Sequence, residues 1–214
     1  MSKFIITINR ECGSGGGEIA RLLGKKIGVK VYDRRILDSV AQQFDLSVEN
    51  IERVKAQRVT WWDDFCRFYQ QFGAASSSSS NNTLPEATPL SVYHAEARLL
   101  RELAAQESCI IIGRAGFHVF HDEPNAVHFF IIADDKARID RIARKQNLSR
   151  EEAEKVINDI DNKRDTFVKN VTGKSRHDAH NYDLVINITG MNPEQVTEFL
   201  ADIIREKLNF QNCQ

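Results

Sequence analysis

The sequence predicts an α/β fold, a doubly wound and mainly parallel sheet of five strands. Five short apolar runs, rich in β-branched residues, alternate with segments of helical periodicity. Such runs are typical of parallel strands that are covered on both faces, and the alternation builds a sheet with helices on either side. A glycine-rich turn also follows the first run directly, at the strand end where ligands of these sheets bind. The five runs are Phe4–Ile8, Val29–Tyr32, Cys109–Ile112, Val127–Ala133 and Leu184–Ile188.

The helical segments carry recognisable start signals. Apolar residues recur at helical spacing from Ile19 to Ile27. Ser149 with Glu152 forms a capping box, which predicts a helix that runs towards Phe167. Pro193 suits the first turn of a terminal helix that ends near residue 208. Strands and helices therefore alternate throughout the chain.

Length and composition predict one domain over residues 1–214, with 42% apolar and 28% charged residues. The formal net charge of −1 gives no reason to expect nucleic acid or a membrane as a partner. The apolar run near the N-terminus is too short for a membrane span or a signal-peptide core, so we expect a cytoplasmic protein. Cys12, Cys66, Cys109 and Cys213 contain no CxxC pair and predict neither a zinc site nor disulfides.

A polar segment interrupts this pattern. The residues from 73 to 90 include five consecutive serines, Ser76–Ser80, followed by two asparagines. This composition buries little apolar surface and predicts a flexible loop. The loop is either a plain surface connection or a mobile part of an acceptor site, because long loops in compact domains are often functional.

The glycine-rich turn has the chemistry of a phosphate site. Phosphate oxygens need inward-pointing backbone N–H groups, and residues without Cβ let a loop approach closely before a helix N-terminus. The stretch partly matches the ATP-binding pattern G-x-x-x-x-G-K-[ST], but Arg10 stands at the first glycine and Gly16 at the lysine. The candidate phosphate-binding residues are Gly13, Ser14, Gly15, Gly16, Gly17 and Glu18; Gly17 or Glu18 stands where a magnesium-binding hydroxyl is expected.

Two other interpretations of the turn stay open at the level of sequence. Gly13 and Gly15 are followed about 18 residues later by Asp33, a spacing found in dinucleotide-binding folds. Against this, Glu18 replaces the third glycine of that pattern, and polar residues separate the strand from Gly13. The turn could also be a tight turn that binds no phosphate.

Four segments in this order carry a resemblance to a known family. They are INRECGSGGGEIARLLGKKIG at the N-terminus, IIIGRAG, the pair Asp161 and Arg164, and YDLVINIT. Over almost the whole chain the sequence resembles the cytidylate kinase-like family of nucleoside monophosphate kinases. The resemblance implies a P-loop kinase-type sheet with a helical lid and acceptor-binding insertions. It also implies ATP and Mg²⁺ as cofactors and a small acceptor, most simply a nucleoside monophosphate such as CMP.

The same resemblance implies roles for regions and residues. Residues 34–106 would form a helical acceptor-binding region, and residues 145–181 the lid. Arg114 would reach the acceptor phosphate, whereas Arg138, Arg141 and Arg164 would be lid or transition-state arginines. Arg34 and Ala115 lie where relatives read the base and ribose, and Asp33 and Arg34 are candidates for acceptor binding. Asp161, like Asp33, is a candidate to orient the acceptor or a magnesium-bound water; either could instead be a cap or an ion-pair partner.

Three departures from the family pattern leave the acceptor base open. The loop lysine is missing, Ala115 replaces the aspartate after Gly113-Arg114, and Arg34 replaces a small serine. We expect Arg10 to supply the missing positive charge; alternatively it caps the loop or pairs with Glu11. The departures also keep open a nucleotide-binding sensor without turnover, or a kinase for a small molecule that is not a nucleotide.

The sequence offers no convincing metal ligands. His177 and His180 lie close together in a polar stretch, but no cysteine or third histidine accompanies them. A zinc site needs three or four such ligands, so we expect these two to be loop histidines.

Overall fold

A computed structural model describes residues 3–33 and 89–211, and the element labels below count the elements within these residues. They follow in the order β1 Ile5–Arg10, α1 Gly16–Ile27, β2 Lys30–Tyr32, α2 Pro89–Gln106, β3 Cys109–Ile112, α3 Gly116–Val119, β4 Ala126–Ile132, α4 Asp135–Gln146, α5 Arg150–Thr172, a 3₁₀ turn Ala179–Asn181, β5 Leu184–Asn187 and α6 Pro193–Gln211. None of the described helices has the length and apolar character that crossing a membrane requires.

The five strands form one sheet in the order β2-β3-β1-β4-β5. Every described pair of neighbouring strands is parallel. The predicted α/β class is therefore confirmed. The central strand β1 pairs with β3 on one side and β4 on the other, which places their carboxyl ends side by side.

All five predicted strands are present, and four of them differ from the prediction by one or two residues at an end. The first strand runs two residues past Ile8 and ends at Arg10, which pairs in register with Ile131. Arg10 is thus a strand residue with a fixed direction, not part of a loop. The edge strand β5 alternates between half-buried and exposed residues, unlike the buried β1 and β3.

Helix α1 places the glycine turn against the sheet. It begins after Gly15, ends at Gly28 in the left-handed region, and carries Lys25 and Lys26 in its last turn, which suits the helix dipole. Its apolar face, including Ile19 and Leu23, is buried in the main core with strand residues and α6. The burial of this face fixes the helix N-terminus at the carboxyl end of β1.

Helices α4 and α5 form a second packed unit beside the turn. The capping box of Ser149 and Glu152 is present, and α5 extends to Thr172, beyond the predicted end near Phe167. A small apolar cluster joins both helices to Cys12, at the start of the turn. The two helices therefore hold their polar side chains close to the carboxyl end of β1.

Candidate active site at the glycine turn

The glycine turn, Gly13–Gly17, presents its backbone as a candidate anion cradle. Gly13 and Gly15 have φ angles of 79° and 96°, values that L side chains rarely adopt. Among the described residues, neither backbone N–H has a hydrogen-bond acceptor. The buried Ser14 hydroxyl donates to Glu11 O (3.0 Å) and accepts from Gly16 N–H (3.3 Å), so it shapes the turn from inside.

Close packing also excludes side chains from the turn. A Cβ on Gly13 would lie 2.9 Å from the carbonyl oxygen of Arg138, and one on Gly15 would lie 2.9 Å from Nη1 of Arg141. Real Cβ atoms essentially never approach other atoms so closely. Helix α4 therefore covers the turn with its backbone at one glycine and with a guanidinium group at the next.

Arg141, a lid or transition-state arginine by resemblance, lies at the turn. Its Nη1 donates to Gly13 O at 2.7 Å. No carboxylate of the described residues pairs with this side chain, so its charge has only a neutral carbonyl as partner there. A guanidinium has five donors, and one bond to a carbonyl leaves further donors for an anion at the turn.

Arg10 is the second guanidinium at the turn that pairs with no carboxylate in the described part of the chain. Its stem packs beneath Gly16 and its Nη1 lies against Gly113 at the end of β3. Burial, with further contributions from Arg164, Arg176 and Arg114, lowers the pKa of Arg10 to about 9. Glu11 is engaged elsewhere: its carboxylate accepts from Ala133 N–H at 3.2 Å. The alternative of an Arg10–Glu11 pair is therefore not what the structure shows.

Asp161 on α5 ties three arginines to the start of the turn. Its two oxygens accept from the backbone N–H of Cys12 at 3.0 and 3.2 Å. The carboxylate is also ion-paired with Arg138, with Arg164 at 3.2 Å and with Arg176 at 3.3 Å, and it is 14% exposed. Of the roles that the sequence left open for Asp161, the geometry is that of an ion-pair partner that also caps the backbone N–H of Cys12.

Arginine side chains also donate hydrogen bonds to main-chain carbonyl groups at the end of β1 and just after it. Arg164 Nη1 and Arg176 Nη1 both donate to Arg10 O, at 3.2 and 3.1 Å. Arg138 Nε donates to Cys12 O at 2.8 Å, and its side chain is 9% exposed. Arg138, assigned by resemblance to the lid or transition state, is here a buried brace behind the turn.

No role was assigned to Arg176 from the sequence. This side chain is 1% exposed, pairs with Asp165, and lies over the ring of Phe130 with 5.8 Å from Cζ to the ring centre. Tyr182 donates to Arg176 O and accepts from Asn9, both at 2.7 Å. No sequence signal pointed to this role beyond the positive charge of Arg176.

The Gly-Arg end of β3 carries an unusual backbone. Gly113, Arg114 and Ala115 have φ angles of 74°, 57° and 51°, three consecutive residues in the left-handed region. Non-glycine residues there are strained, and such strain persists only where the surroundings fix it. Arg114 pairs with Glu96 of α2, and its Cζ lies 5.3 Å from the ring centre of Phe167. These contacts hold a guanidinium beside the Arg10 side chain.

The remaining candidates stand at the edges of the site. Asp33 is half-buried directly after β2. Residues 34–88 lie outside the described residues; they include Arg34, the 73–90 loop up to residue 88 and most of the predicted acceptor region. Glu18 is exposed in the first turn of α1. At the start of α1, Mg²⁺ would meet the Glu18 carboxylate and no hydroxyl from positions 16 and 17, which fits an ion that keeps several waters and takes substrate phosphates as ligands.

The two histidines are loop residues with acidic partners. His177 Nε2 lies 3.1 Å from Asp165, and His180 Nδ1 lies 2.9 Å from Asp178. Within residues 3–33 and 89–211, no three His, Cys, Asp or Glu side chains gather in a way that could hold a metal ion.

Comparison with known proteins identifies the family. The model of the cytidylate kinase-like family matches residues 5–190. The chain belongs to this family. A cytidylate kinase of Thermoplasma acidophilum is 22% identical over 203 residues, which cover 94% of this chain and 92% of that protein. The family assignment makes the protein a phosphotransferase of kinase type.

Two solved structures share the fold of this family member over almost its whole length. An uncharacterized protein from Eubacterium ventriosum is 20% identical, with a TM-score of 0.69 over 95% of this chain and 99% of that chain. The protein TT1252 from Thermus thermophilus is 18% identical, with a TM-score of 0.53 over 96% and 98%. The strand order also decides against a dinucleotide fold, in which β1 neighbours β2, whereas here β1 neighbours β3.

Proposed function

We propose that this chain transfers a phosphoryl group from ATP to a small acceptor, a nucleoside monophosphate such as CMP. One observation carries the proposal. Arg10 and Arg141 flank a glycine turn, and neither has a carboxylate partner among the described residues. Arg138, Arg164 and Arg176 in the same region are all ion-paired. The positive charges of Arg10 and Arg141 would be neutralised by a bound anion, and the N–H groups of Gly13 and Gly15 would donate hydrogen bonds to it.

The arrangement suits the electrostatics of phosphoryl transfer. This reaction needs little covalent chemistry from the protein, and positioned cations stabilise the charge on the transferred group. Arg141 contacts the turn from α4, and Arg10 extends from the turn to Gly113. ATP phosphates on the turn would therefore meet fixed guanidinium groups on two sides. Mg²⁺, which kinases commonly use, would neutralise further phosphate charge, with Glu18 as its nearest carboxylate.

The acceptor is assigned to the β3 end. By family resemblance Arg114 contacts the acceptor phosphate, and its pairing with Glu96 and contact with Phe167 fix the guanidinium there. Asp33 and Arg34 follow the neighbouring strand β2 and would read the rest of the acceptor. A nucleotide fits an arginine at its phosphate, because guanidinium groups bind phosphate in a bidentate way.

Two replacements favour a second function: Gly16 stands where related kinases have a lysine, and Ala115 stands where they have an aspartate. The protein would then bind nucleotide as a sensor without turnover. A kinase whose small acceptor is not a nucleotide would also tolerate Ala115, since that position bears on the base and ribose.

A coupled assay of ADP release, run across the common nucleoside monophosphates at saturating Mg-ATP, separates these functions. We expect one monophosphate to accelerate ADP release well above the ATPase background. Arg141→Ala should remove most of that rate, because it deletes an unpaired charge at the turn. Arg144→Ala is the matched control, since Arg144 lies on the same helix and bonds only to Asp140 O among the described residues.

The outcomes distinguish the three functions. ATP binding without acceleration by any nucleotide acceptor would leave the sensor or a non-nucleotide acceptor, which a screen of hydroxylated metabolites tells apart. Equal rates for Arg141→Ala and Arg144→Ala would remove Arg141 from the site. Absence of ATP binding would refute phosphoryl transfer at this turn.

A further inference from the structure

Positions 10 and 16 compete for the same space. A Cβ on Gly16 would lie 2.7 Å from Cβ of Arg10 and 3.3 Å from both Cγ of Arg10 and Cβ of Ile131. The atom that it would meet first belongs to the fixed base of a strand residue and cannot swing away. Position 16 therefore has no room for a side chain while position 10 carries one.

The backbone of Gly16 gives no other reason for glycine. Gly16 is not among the glycines with positive φ, and it is the first residue of α1. Glycine within a helix is unfavourable relative to alanine. The crowding at the Cβ position is the reason for glycine that the structure gives at position 16. The neighbouring Gly17 makes the contrast clear, because a Cβ there would meet only Nη2 of Arg21, at 3.9 Å.

These two positions are also the two at which the turn departs from the common ATP-binding pattern. In G-x-x-x-x-G-K-[ST] the first position is glycine and the seventh is lysine. In this chain the first position is Arg10 and the seventh is Gly16. The common pattern has glycine at position one and the cation at position seven, whereas this chain has the cation at position one and glycine at position seven.

We propose that Arg10 and Gly16 are an exchanged pair: a side chain is accommodated at only one of the two positions, and Arg10 supplies from the strand the charge that lysine supplies from the helix. The charge half of this inference rests on the proposed function, whereas the steric half does not. Arg10 suits the task because hydrogen bonds from Arg164 and Arg176 fix its carbonyl, while its guanidinium reaches Gly113.

The steric half is tested by thermal unfolding, without any substrate. Gly16→Ala should lower Tm by several degrees, whereas the matched change Gly17→Ala should leave Tm unchanged or raise it. In the background of Arg10→Gly, the cost of Gly16→Ala should largely disappear, which a double-mutant cycle measures. If Gly16→Ala is tolerated as well as Gly17→Ala while Arg10 is present, the exclusion is wrong. If the variant does not fold with Arg10 but folds with Arg10→Gly, the exclusion is supported.

The charge half is tested by ATP binding and turnover. Arg10→Ala keeps the Cβ near Gly16 and should lower kcat by about 10²-fold with a modest change in ATP affinity, as for other fixed transition-state donors. Arg10→Lys should recover part of the loss, because it keeps the charge without the bidentate fork. The double variant Arg10→Gly with Gly16→Lys should recover turnover relative to Arg10→Gly alone.

Each result supports or overturns one half. If Arg10→Ala turns over within about threefold of the parent, a change of only ~0.7 kcal/mol, Arg10 is structural and the charge half fails. If the double variant folds but is no more active than Arg10→Gly, the charge half also fails. If the parent binds no ATP, the proposed function and the charge half fall together, while the thermal cycle still decides the steric half.

Discussion

Replacing Asp161 by asparagine tests whether this carboxylate braces the turn or takes part in the chemistry. Asparagine keeps one acceptor for Cys12 N–H but removes the charge that faces Arg138, Arg164 and Arg176. Asp161 is 14% exposed. Removing one partner of a buried ion pair typically costs about 3–5 kcal/mol, because the remaining charges stay buried. We expect the lower end, about 3 kcal/mol, since the hydrogen bond to Cys12 survives.

The expected loss is measurable as a shift in Tm. For a domain of this size, each kcal/mol corresponds to roughly 2–4 °C, so Asp161→Asn should lower Tm by about 6–12 °C. Asp140→Asn is the matched control, since Asp140 pairs with Arg150 and their side chains are 38% and 54% exposed. Exposed pairs contribute only about 0–1 kcal/mol, so the control should shift Tm by at most a few degrees.

Differential scanning calorimetry at neutral pH, with turnover measured on the same preparations, decides between the two roles. Equal Tm values for Asp161→Asn and Asp140→Asn would refute the bracing role. A variant with the parental Tm and no turnover would instead place Asp161 in the chemistry. A fall in both Tm and ATP affinity is the result that the geometry predicts, because the turn loses its support from α5.

Three further predictions concern the turn and its surroundings. Gly15→Val should abolish ATP binding in a folded protein, since Gly15 has a φ of 96° and its Cβ would meet Arg141; retained affinity in calorimetry would argue against a phosphate site. The kcat/KM for ATP should fall as pH rises through about 9, where Arg10 loses its proton and its charge. A parent profile that stays flat to about pH 10.5, or a limb near 9 that persists in Arg10→Ala, would contradict this assignment. Backbone amides of residues 169–180, within the predicted lid region 145–181, should gain hydrogen-exchange protection only with both nucleotides bound, because kinase lids exclude water from the transferred group. Equal exchange in the unliganded and doubly liganded protein would count against a lid there.

The fold could be predicted from the sequence because its signals are local. Apolar runs such as Cys109–Ile112 and the capping box of Ser149 and Glu152 depend on residues close in the chain. The glycine turn was predicted for the same reason, since its conformation needs adjacent glycines. The end of β1 was predicted less accurately. The polar residues Asn9 and Arg10 continue the strand because they pair with β4, and no local sequence pattern reveals that pairing.

The network behind the turn could not be predicted, because its partners are distant in sequence. Whether Asp161 binds Mg²⁺, orients an acceptor or pairs with arginine depends on which side chains surround it in the fold. Glu11 illustrates the difficulty: the adjacent Arg10 was one alternative partner, but the Glu11 carboxylate accepts from Ala133 N–H, directly after the neighbouring strand β4. Arg176 gave no signal beyond its charge, although it is among the largest fully buried side chains.

The long-range hydrogen bonds that hold the turn affect the order in which parts of the chain fold during synthesis. Cys12 is fixed by Asp161, which lies 149 residues later in the chain, and Arg10 O is held by Arg164 and Arg176, 154 and 166 residues later. Contacts of such long sequence separation form late, after most of the chain has emerged from the ribosome. A segment that is made early is thus among the last to take its final shape. If the turn binds ATP as proposed, a nascent chain that still lacks α5 would lack the contacts from Asp161 and Arg164 that hold the turn in its binding conformation.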